Sequence, residues 1–178
     1  MQNSNSSTHP AKVFKYCPNC GHQDFYFDGE KAFTCPGCRF KYYINACGAV
    51  AAICVLPDNR IILTRRKFEP KEGYFDLPGG FVDLNESAED AVKREIKEEL
   101  GLEIDTMQYL VSFPNQYIFK GITYFTLDLA YICPIDNISG IKAADDVAEA
   151  KCILPANIDY STISFPSIVN ILKKYMDK

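Results

Sequence analysis

From residue 47 onward the hydrophobic positions come first in strand-length runs, then in a helical repeat, then in runs again. CGAVAAICVL (47–56) is an apolar run of strand length, PDN turns the chain, and RIILTRR (60–66) returns, which predicts a β-hairpin. A loop with Lys71, Gly73, Pro78, Gly79 and Gly80 follows. In SAEDAVKREIKEEL, Ala88, Val92, Ile96 and Leu100 then recur at the spacing of a helix that Gly101 ends. MQYLVSF and ITYFTLDLAYI are rich in β-branched and aromatic residues and flank Lys120-Gly121, predicting at least one more hairpin. DNISGIKAADDVAEA is a polar loop, 150–154 a last short strand, and 165–175, with Ile168, Val169, Ile171 and Leu172, a C-terminal helix. Strands interrupted by two helices predict an α/β domain over 46–178, a mixed sheet sandwiched by helices.

Upstream the pattern changes. Residues 1–11 are Ser-, Asn- and Thr-rich with almost nothing to bury, which predicts a disordered tail. Residues 12–45 hold paired cysteines with aromatics between them and predict a separate small module, bounded near 44–46. A length of 178 residues suits one α/β core plus such a module, and 47% apolar with 24% charged residues suits a folded chain. A formal charge of −4 argues against a protein that coats nucleic acid, while leaving room for a local basic patch. No apolar run approaches the roughly 18 residues of a membrane span, and MQNSNSSTHPA lacks the charged and apolar regions of a signal peptide. The expected compartment is the cytoplasm, with no membrane partner.

Half of the eight cysteines fall into Cys17-Pro-Asn-Cys20 and Cys35-Pro-Gly-Cys38, 14 residues apart. This spacing predicts a four-cysteine zinc ribbon, since four thiolates close a tetrahedral Zn²⁺ site without an open position. The role is then structural. A redox reading of the two pairs would need a βα context that is absent here. His22 beside the first pair is surplus to a complete site. Cys47, Cys54, Cys133 and Cys152 are scattered in expected strands, as buried small hydrophobes are. The stretch 16–43 that holds the cysteines, under 30 residues with few aliphatics, would hardly fold without the metal.

On the predicted helix, Glu95, Glu98 and Glu99 spread over an arc of roughly 100° beside Val92, Ile96 and Leu100. Spacing alone leaves two readings open. The acids form a solvated face balanced by Lys93, Arg94 and Lys97, or they crowd around a missing counter-ion such as Mg²⁺ or Mn²⁺, which prefers hard oxygen ligands. Gly79-Gly80 can turn tightly and open a carbonyl or amide to a metal or phosphate, and Arg94 can reach back to Glu86.

The whole string GFVDLNESAEDAVKREIKEELGL (80–102) reads Gly, five residues, Glu, seven residues, Arg-Glu, apolar, any, Glu-Glu, any, Gly, apolar. It resembles, at every fixed position, the signature of the Nudix hydrolases. That resemblance implies an α/β/α sandwich and metal-dependent hydrolysis of a nucleoside diphosphate linked to another group. It implies Glu95, Glu98 and Glu99 as Mg²⁺ or Mn²⁺ ligands and catalytic acids, the Gly80 carbonyl as a further ligand, and Glu86 with Arg94 as a structural pair. Glu98 or Glu99 would orient or deprotonate the attacking water. The family also uses an acid on a loop before the last strand, for which Glu149 is the nearest match and Asp146 the competitor.

A ribbon ahead of this box resembles two subgroups: the NADH pyrophosphatases, which also act on NAD-capped RNA, and shorter enzymes acting on ADP-ribose or FAD. The first subgroup's large additional N-terminal domain is absent, and its Ser-Gln-Pro-Trp-Pro-Phe-Pro-x-Ser motif is replaced here by SFPNQYIFKG (112–121). ADP-ribose, FAD or NADH is therefore the expected substrate, with nucleic acid a partner only as capped RNA and a homodimer in keeping with the resemblance. Phe113, Tyr117 and Phe119 could stack a base, and Arg65, Arg66 or Lys67 could meet phosphate; core packing and solvated charge explain the same residues. Sanitising of modified nucleoside triphosphates, and a ligand-sensing or nucleic-acid-binding regulator without hydrolysis, stay open beside the main reading.

Overall fold

The chain's own composition predicts two bodies, and the computed structural model, which describes residues 6–138 and 140–178, divides into two compact units. The first is Met1–Ala46 with Gln116–Phe125, the second Cys47–Asn115 with Thr126–Lys178. The short segment 116–125 joins the first unit although it lies far away in sequence. None of the patterning along the chain signals this.

In the first unit a short helix α1 (Pro10–Val13) precedes three strands, β1 (Tyr26–Phe27), β2 (Ala32–Thr34) and β3 (Lys41–Tyr43), which pair antiparallel in that order. The core is small: Cys17, Phe25, Phe33 and Cys35 are buried, with the Phe25 and Phe33 rings stacked at 5.0 Å. Residues 1–5 of the expected tail lie outside the described residues. Residues 6–11 correct that expectation, because His9 is buried with its ring edge-on to Phe27 and Phe125, at 5.4 and 5.6 Å. His9 Nδ1 also accepts the Ala11 N–H at 3.1 Å and so caps α1. Burial, with Lys12 nearby, pushes the imidazole below its ordinary value. The Thr8 and Thr123 hydroxyls meet at 2.8 Å.

The second unit carries β4 (Cys47–Val55), β5 (Ile61–Arg66), β6 (Phe75–Asp76), α2 (Ala88–Leu100), β7 (Gln108–Phe119), β8 (Ile122–Pro134), β9 (Val147–Ile153) and α3 (Pro166–Met176), although β7 and β8 extend into segment 116–125. The sheet runs β6-β5-β4-β8-β7, with β9 also paired to β5; β4 and β8 are parallel and the pairs made by β5 antiparallel. Period-two alternation sorts the two faces. Val50, Ala52 and Cys54 of β4 and Tyr131 and Cys133 of β8 pack with Ala91, Val92, Ile96 and Leu100 of α2. On the other face the Asp128 carboxylate accepts the Ser167 hydroxyl of α3 at 2.6 Å. The product is a mixed sheet between helices. Among the described residues no helix is long and apolar enough to cross a membrane.

The helix that carries the acids is well fixed at both ends. Ser87 caps it by accepting the Asp90 N–H, and Gly101 closes it at φ +68°, donating its N–H to the Lys97 carbonyl. β4 and β5 touch in register only at Val55 and Ile61, so the middle of β4 must find other partners for its backbone. The Gly79-Gly80 loop supplies them: Val50 donates to the Gly80 carbonyl and Ala52 to that of Pro78, each at 2.8 Å, and Val82 donates to Gly48 at 3.0 Å.

Candidate active site

Arg94 is the hinge between loop and helix. Its Nε and Nη2 each lie 2.9 Å from a different oxygen of Glu86, and Nη2 also donates to the Phe81 carbonyl at 3.0 Å. Nη1 reaches Glu95 at 2.7 Å and Glu98 at 3.0 Å. The fork of a guanidinium suits this task, since its donors hold several oxygens in fixed directions. Glu86 accepts the Asp83 N–H as well, and Arg94 followed by that N–H holds its carboxyl down to about 2. The expected pairing of Glu86 with Arg94 is thus present as geometry.

Two of the three helix acids are buried. Glu95 is pushed above its ordinary value by burial, opposed by Arg94. Glu99 rises to about 10, through burial first and then the charges of Asp146, Glu95 and Asp76. Its Oε2 accepts the Gly79 N–H at 3.2 Å. A Cβ on Gly79, at φ +145°, would collide with the Val50 carbonyl, and one on Gly80 would lie 2.5 Å from Glu95 Oε1. At Gly79 only glycine allows this approach, whereas at Gly80 the Glu95 carboxylate would have to shift. The Gly80 carbonyl, expected as a ligand, already accepts from Val50 and keeps one lone pair.

Glu99, Asp76 and Asp146 line one narrow cleft of about 10 Å³ with Thr64, Arg66 and Gly79, on the scale of a single water-sized body. Asp76 was not anticipated; the one clue is an acid inside the apolar stretch YFDLP. Burial lifts it to about 6 against the pull of Arg66, 3.3 Å away, and Ser164 donates to it at 2.8 Å. Three carboxylates face one cationic side chain in that cleft. Such a set fits a hard divalent cation, whose charge would offset what burial and repulsion oppose. Among the described residues, however, only the four cysteines bring three or more His, Cys, Asp or Glu ligand atoms within 4.8 Å of one another. Arg94 stands between Glu95 and Glu98.

Glu149, expected on a loop, lies within a strand instead. The last strand begins at Val147, three residues earlier than its apolar pattern indicated, so Glu149 sits inside β9 directly opposite Arg65. Its carboxylate accepts from Arg65 Nε at 2.8 Å. Asp146, the last residue before the strand, takes the place in the cleft beside Glu99. Arg65 is likewise engaged elsewhere, donating to the Gly73 carbonyl at 2.8 Å and lying 4.2 Å over the Phe75 ring. Arg66 lines the cleft. Lys67 donates to the Asp145 carbonyl at 3.4 Å, and Phe113, Tyr117 and Phe119 are not among the residues lining the cleft. Tyr117 and Phe119, 6.3 Å apart, belong to the segment that joins the first unit.

The cysteines form a second centre. Cys17 and Cys38 sulfurs are 3.7 Å apart, Cys20 and Cys35 sulfurs 3.6 Å. Disulfides need about 2.05 Å, whereas the edge of a tetrahedron with Zn–S bonds of about 2.3 Å is about 3.8 Å. The two knuckles repeat one turn: Gly21 donates to the Cys17 carbonyl and Arg39 to that of Cys35, and Cys17 and Cys35 donate to the carbonyls of His22 and Phe40. Gly21 and Arg39 occupy the same place in each, both at positive φ. The set fits Zn²⁺ in size and in donor type.

Residues 47–157 match the model of the NUDIX domain family. The ADP-ribose pyrophosphatase of Methanocaldococcus jannaschii is 37% identical over 116 residues, 64% of this chain and 64% of that protein. The NAD-capped RNA hydrolase NudC of Shigella dysenteriae is 31% identical over 143 residues, 80% of this chain and 50% of that protein. The chain therefore spans between half and two thirds of the length of these curated relatives. The crystal structure of a NUDIX hydrolase from Nitrosomonas europaea superposes with a TM-score of 0.67 at 23% identity, over 92% of this chain and 91% of that one, a likeness of fold.

Proposed function

The chain belongs to the Nudix family, and from that membership we propose that it hydrolyses the diphosphate bond of a nucleoside diphosphate derivative, ADP-ribose first, with NADH and FAD beside it. One observation carries the reading: Glu95 and Glu99 are buried next to Asp146 and Asp76 with their carboxyls pushed upward, a cluster that a cation would complete. Glu95, Glu98, Glu99 and Asp146, with the free lone pair of the Gly80 carbonyl, are the donors we assign to Mg²⁺ or Mn²⁺. The bound ion would neutralise diphosphate charge and lower the pKa of a coordinated water. Glu98, whose side chain is 48% exposed, is the acid that a water at the rim can reach, and we assign it the orienting of that water. Arg94 and Glu86 hold the helix against the glycine loop. Arg66 is the cleft's cationic side chain and the candidate for a phosphate contact. The four cysteines hold a structural Zn²⁺.

The names of the relatives support an adenosine diphosphate moiety, and their partial coverage leaves the choice among such compounds to experiment. The test is AMP release by the zinc-loaded chain with Mg²⁺ or Mn²⁺ from ADP-ribose, NADH, FAD, dinucleoside polyphosphates and nucleoside triphosphates. We expect water to cleave the P–O–P bond of ADP-ribose into AMP and ribose 5-phosphate. Turnover of none of these would overturn hydrolysis in favour of a ligand-sensing role; turnover of triphosphates alone would overturn the substrate.

A second outcome separates the two acids near the last strand. Asp146→Asn should lower kcat by ~10-fold or more, on the scale seen when a metal site loses an oriented partner. Glu149→Gln should leave it within about 2-fold, because an exposed ion pair contributes little. Steady-state kinetics on the preferred substrate read both, and the reverse order would restore Glu149.

A further inference from the structure

The first unit carries charge of the opposite sign to the rest of the chain. It contains six Lys or Arg against three Asp or Glu, in a protein whose formal charge is −4. One of the three acids is already engaged, since the Asp28 carboxylate accepts the N–H groups of Glu30, Lys31 and Ala32.

Its aromatic residues are sorted by type. Every Phe between residues 12 and 45 is buried or partly buried, while every Tyr there, Tyr16, Tyr26, Tyr42 and Tyr43, is exposed. A small core short of aliphatics would draw in whatever aromatics it could, yet these four phenols stay outside. Exposures of 60% for Tyr16, 54% for Tyr26 and 42% for Tyr42 leave a large part of each side chain open to solvent.

The rings border two grooves of about 610 and 450 Å³ that share Phe14, Lys15, Tyr16 and Phe25 and so run into each other. Phe25 is the buried floor; Tyr26 borders the first groove and Tyr42 the second. Lys12 and Lys15 stand exposed along the first, where Asp24 is the one acid. Each groove falls within the usual 300–1,000 Å³ of a small-ligand site.

We propose that this groove binds single-stranded RNA, with Tyr16, Tyr26 and Tyr42 as stacking platforms and Lys12 and Lys15 on the phosphates. Exposed aromatic faces interleaved with cations are the combination that holds unpaired bases without reading their order. Duplexes keep their bases stacked inward, so a ring platform selects a single strand, and RNA is the polynucleotide that supplies unpaired loops and ends. The assignment is independent of what the glutamate box hydrolyses.

The test is fluorescence anisotropy of a labelled 12-nucleotide uridine-rich RNA titrated with the full zinc-loaded chain, against the same strand annealed into a duplex. Saturable binding is expected for the single strand, at least ~5-fold weaker in Tyr16→Ala and in Tyr26→Ala, since each lost base stack is worth that much or more. Tyr16→Phe should keep the affinity, which separates stacking from damage to the fold, and zinc content should be unchanged in all three. In Lys12→Gln with Lys15→Gln, the slope of log affinity against log salt should fall by about 1.4. No saturable binding, equal affinity for the duplex, or full affinity in both Tyr→Ala variants would overturn the proposal. So would concentration-dependent self-association that these variants abolish, for then a second copy of the chain occupies the groove.

Discussion

Glu99→Gln is expected to lower kcat by ~10³-fold and Glu98→Gln by a similar factor, within the range that acid–base groups and bound cations contribute, with the fold intact in both. The two losses should differ in kind. Glu99 is a buried oxygen donor beside Asp146 and Asp76, so its variant should need much more Mg²⁺ for half-maximal rate. Glu98 is half exposed at the rim, and its variant should lose rate with a smaller change in cation requirement. Near-normal turnover in both variants sinks the assignment. The pH dependence of stability gives a second readout. The Glu99 carboxyl lies at about 10 in the fold against 4.5 for an ordinary glutamic acid, so between those values the unfolded chain ionises and the folded chain does not. The protonated form's contribution is therefore full below about pH 4.5 and is lost as pH rises toward 10. In buffer without Mg²⁺ or Mn²⁺, the melting temperature of the parent should drop relative to Glu99→Gln between pH 5 and 9. A cation that selects the ionised carboxylate should reverse the drop in the parent and not in the variant.

The box was legible because its signals are local. A cap at Ser87, apolar residues at helical spacing and an αL stop at Gly101 all lie within one stretch, and Arg94 reaches Glu86 across a single loop. What failed to show depends on partners distant in sequence. Glu149 and Asp146 differ by three residues, and only the register that sets Arg65 opposite Glu149 decides which of them enters the cleft. Asp76 lies in a strand of two residues, too short for any alternation to mark, and its partners Arg66 and Ser164 are 10 and 88 residues away. His9 sits in a polar run with nothing adjacent to bury it; Phe27 and, more than a hundred residues later, Phe125 do so. Segment 116–125 shows the same limit, as one hairpin whose far end belongs to the first unit.

Removing the metal from the four cysteines should unfold the first unit. The buried members of its hydrophobic cluster are Cys17, Phe25, Phe33 and Cys35, so two of those four are themselves candidate ligands. Hydrophobic burial on that scale cannot offset the chain entropy of more than 30 residues, while structural zinc supplies about 10–16 kcal/mol in comparable small modules. The chain should carry one Zn²⁺ by elemental analysis, and Co²⁺ in its place should show the absorption of a tetrahedral thiolate complex. Cys17→Ser or Cys35→Ser should abolish both and collapse the amide signals of residues 12–45 into the unfolded range. The second unit has a larger core of its own, from Val50 through Ile96 to Cys133, and α2 should stay protected from hydrogen exchange in the same samples. Cys54→Ser provides the contrast: it loses a buried apolar contact and should lower stability of the second unit without touching the zinc. A chain that keeps its full set of signals after chelation, with no zinc bound, would show that the two knuckles fold without a metal.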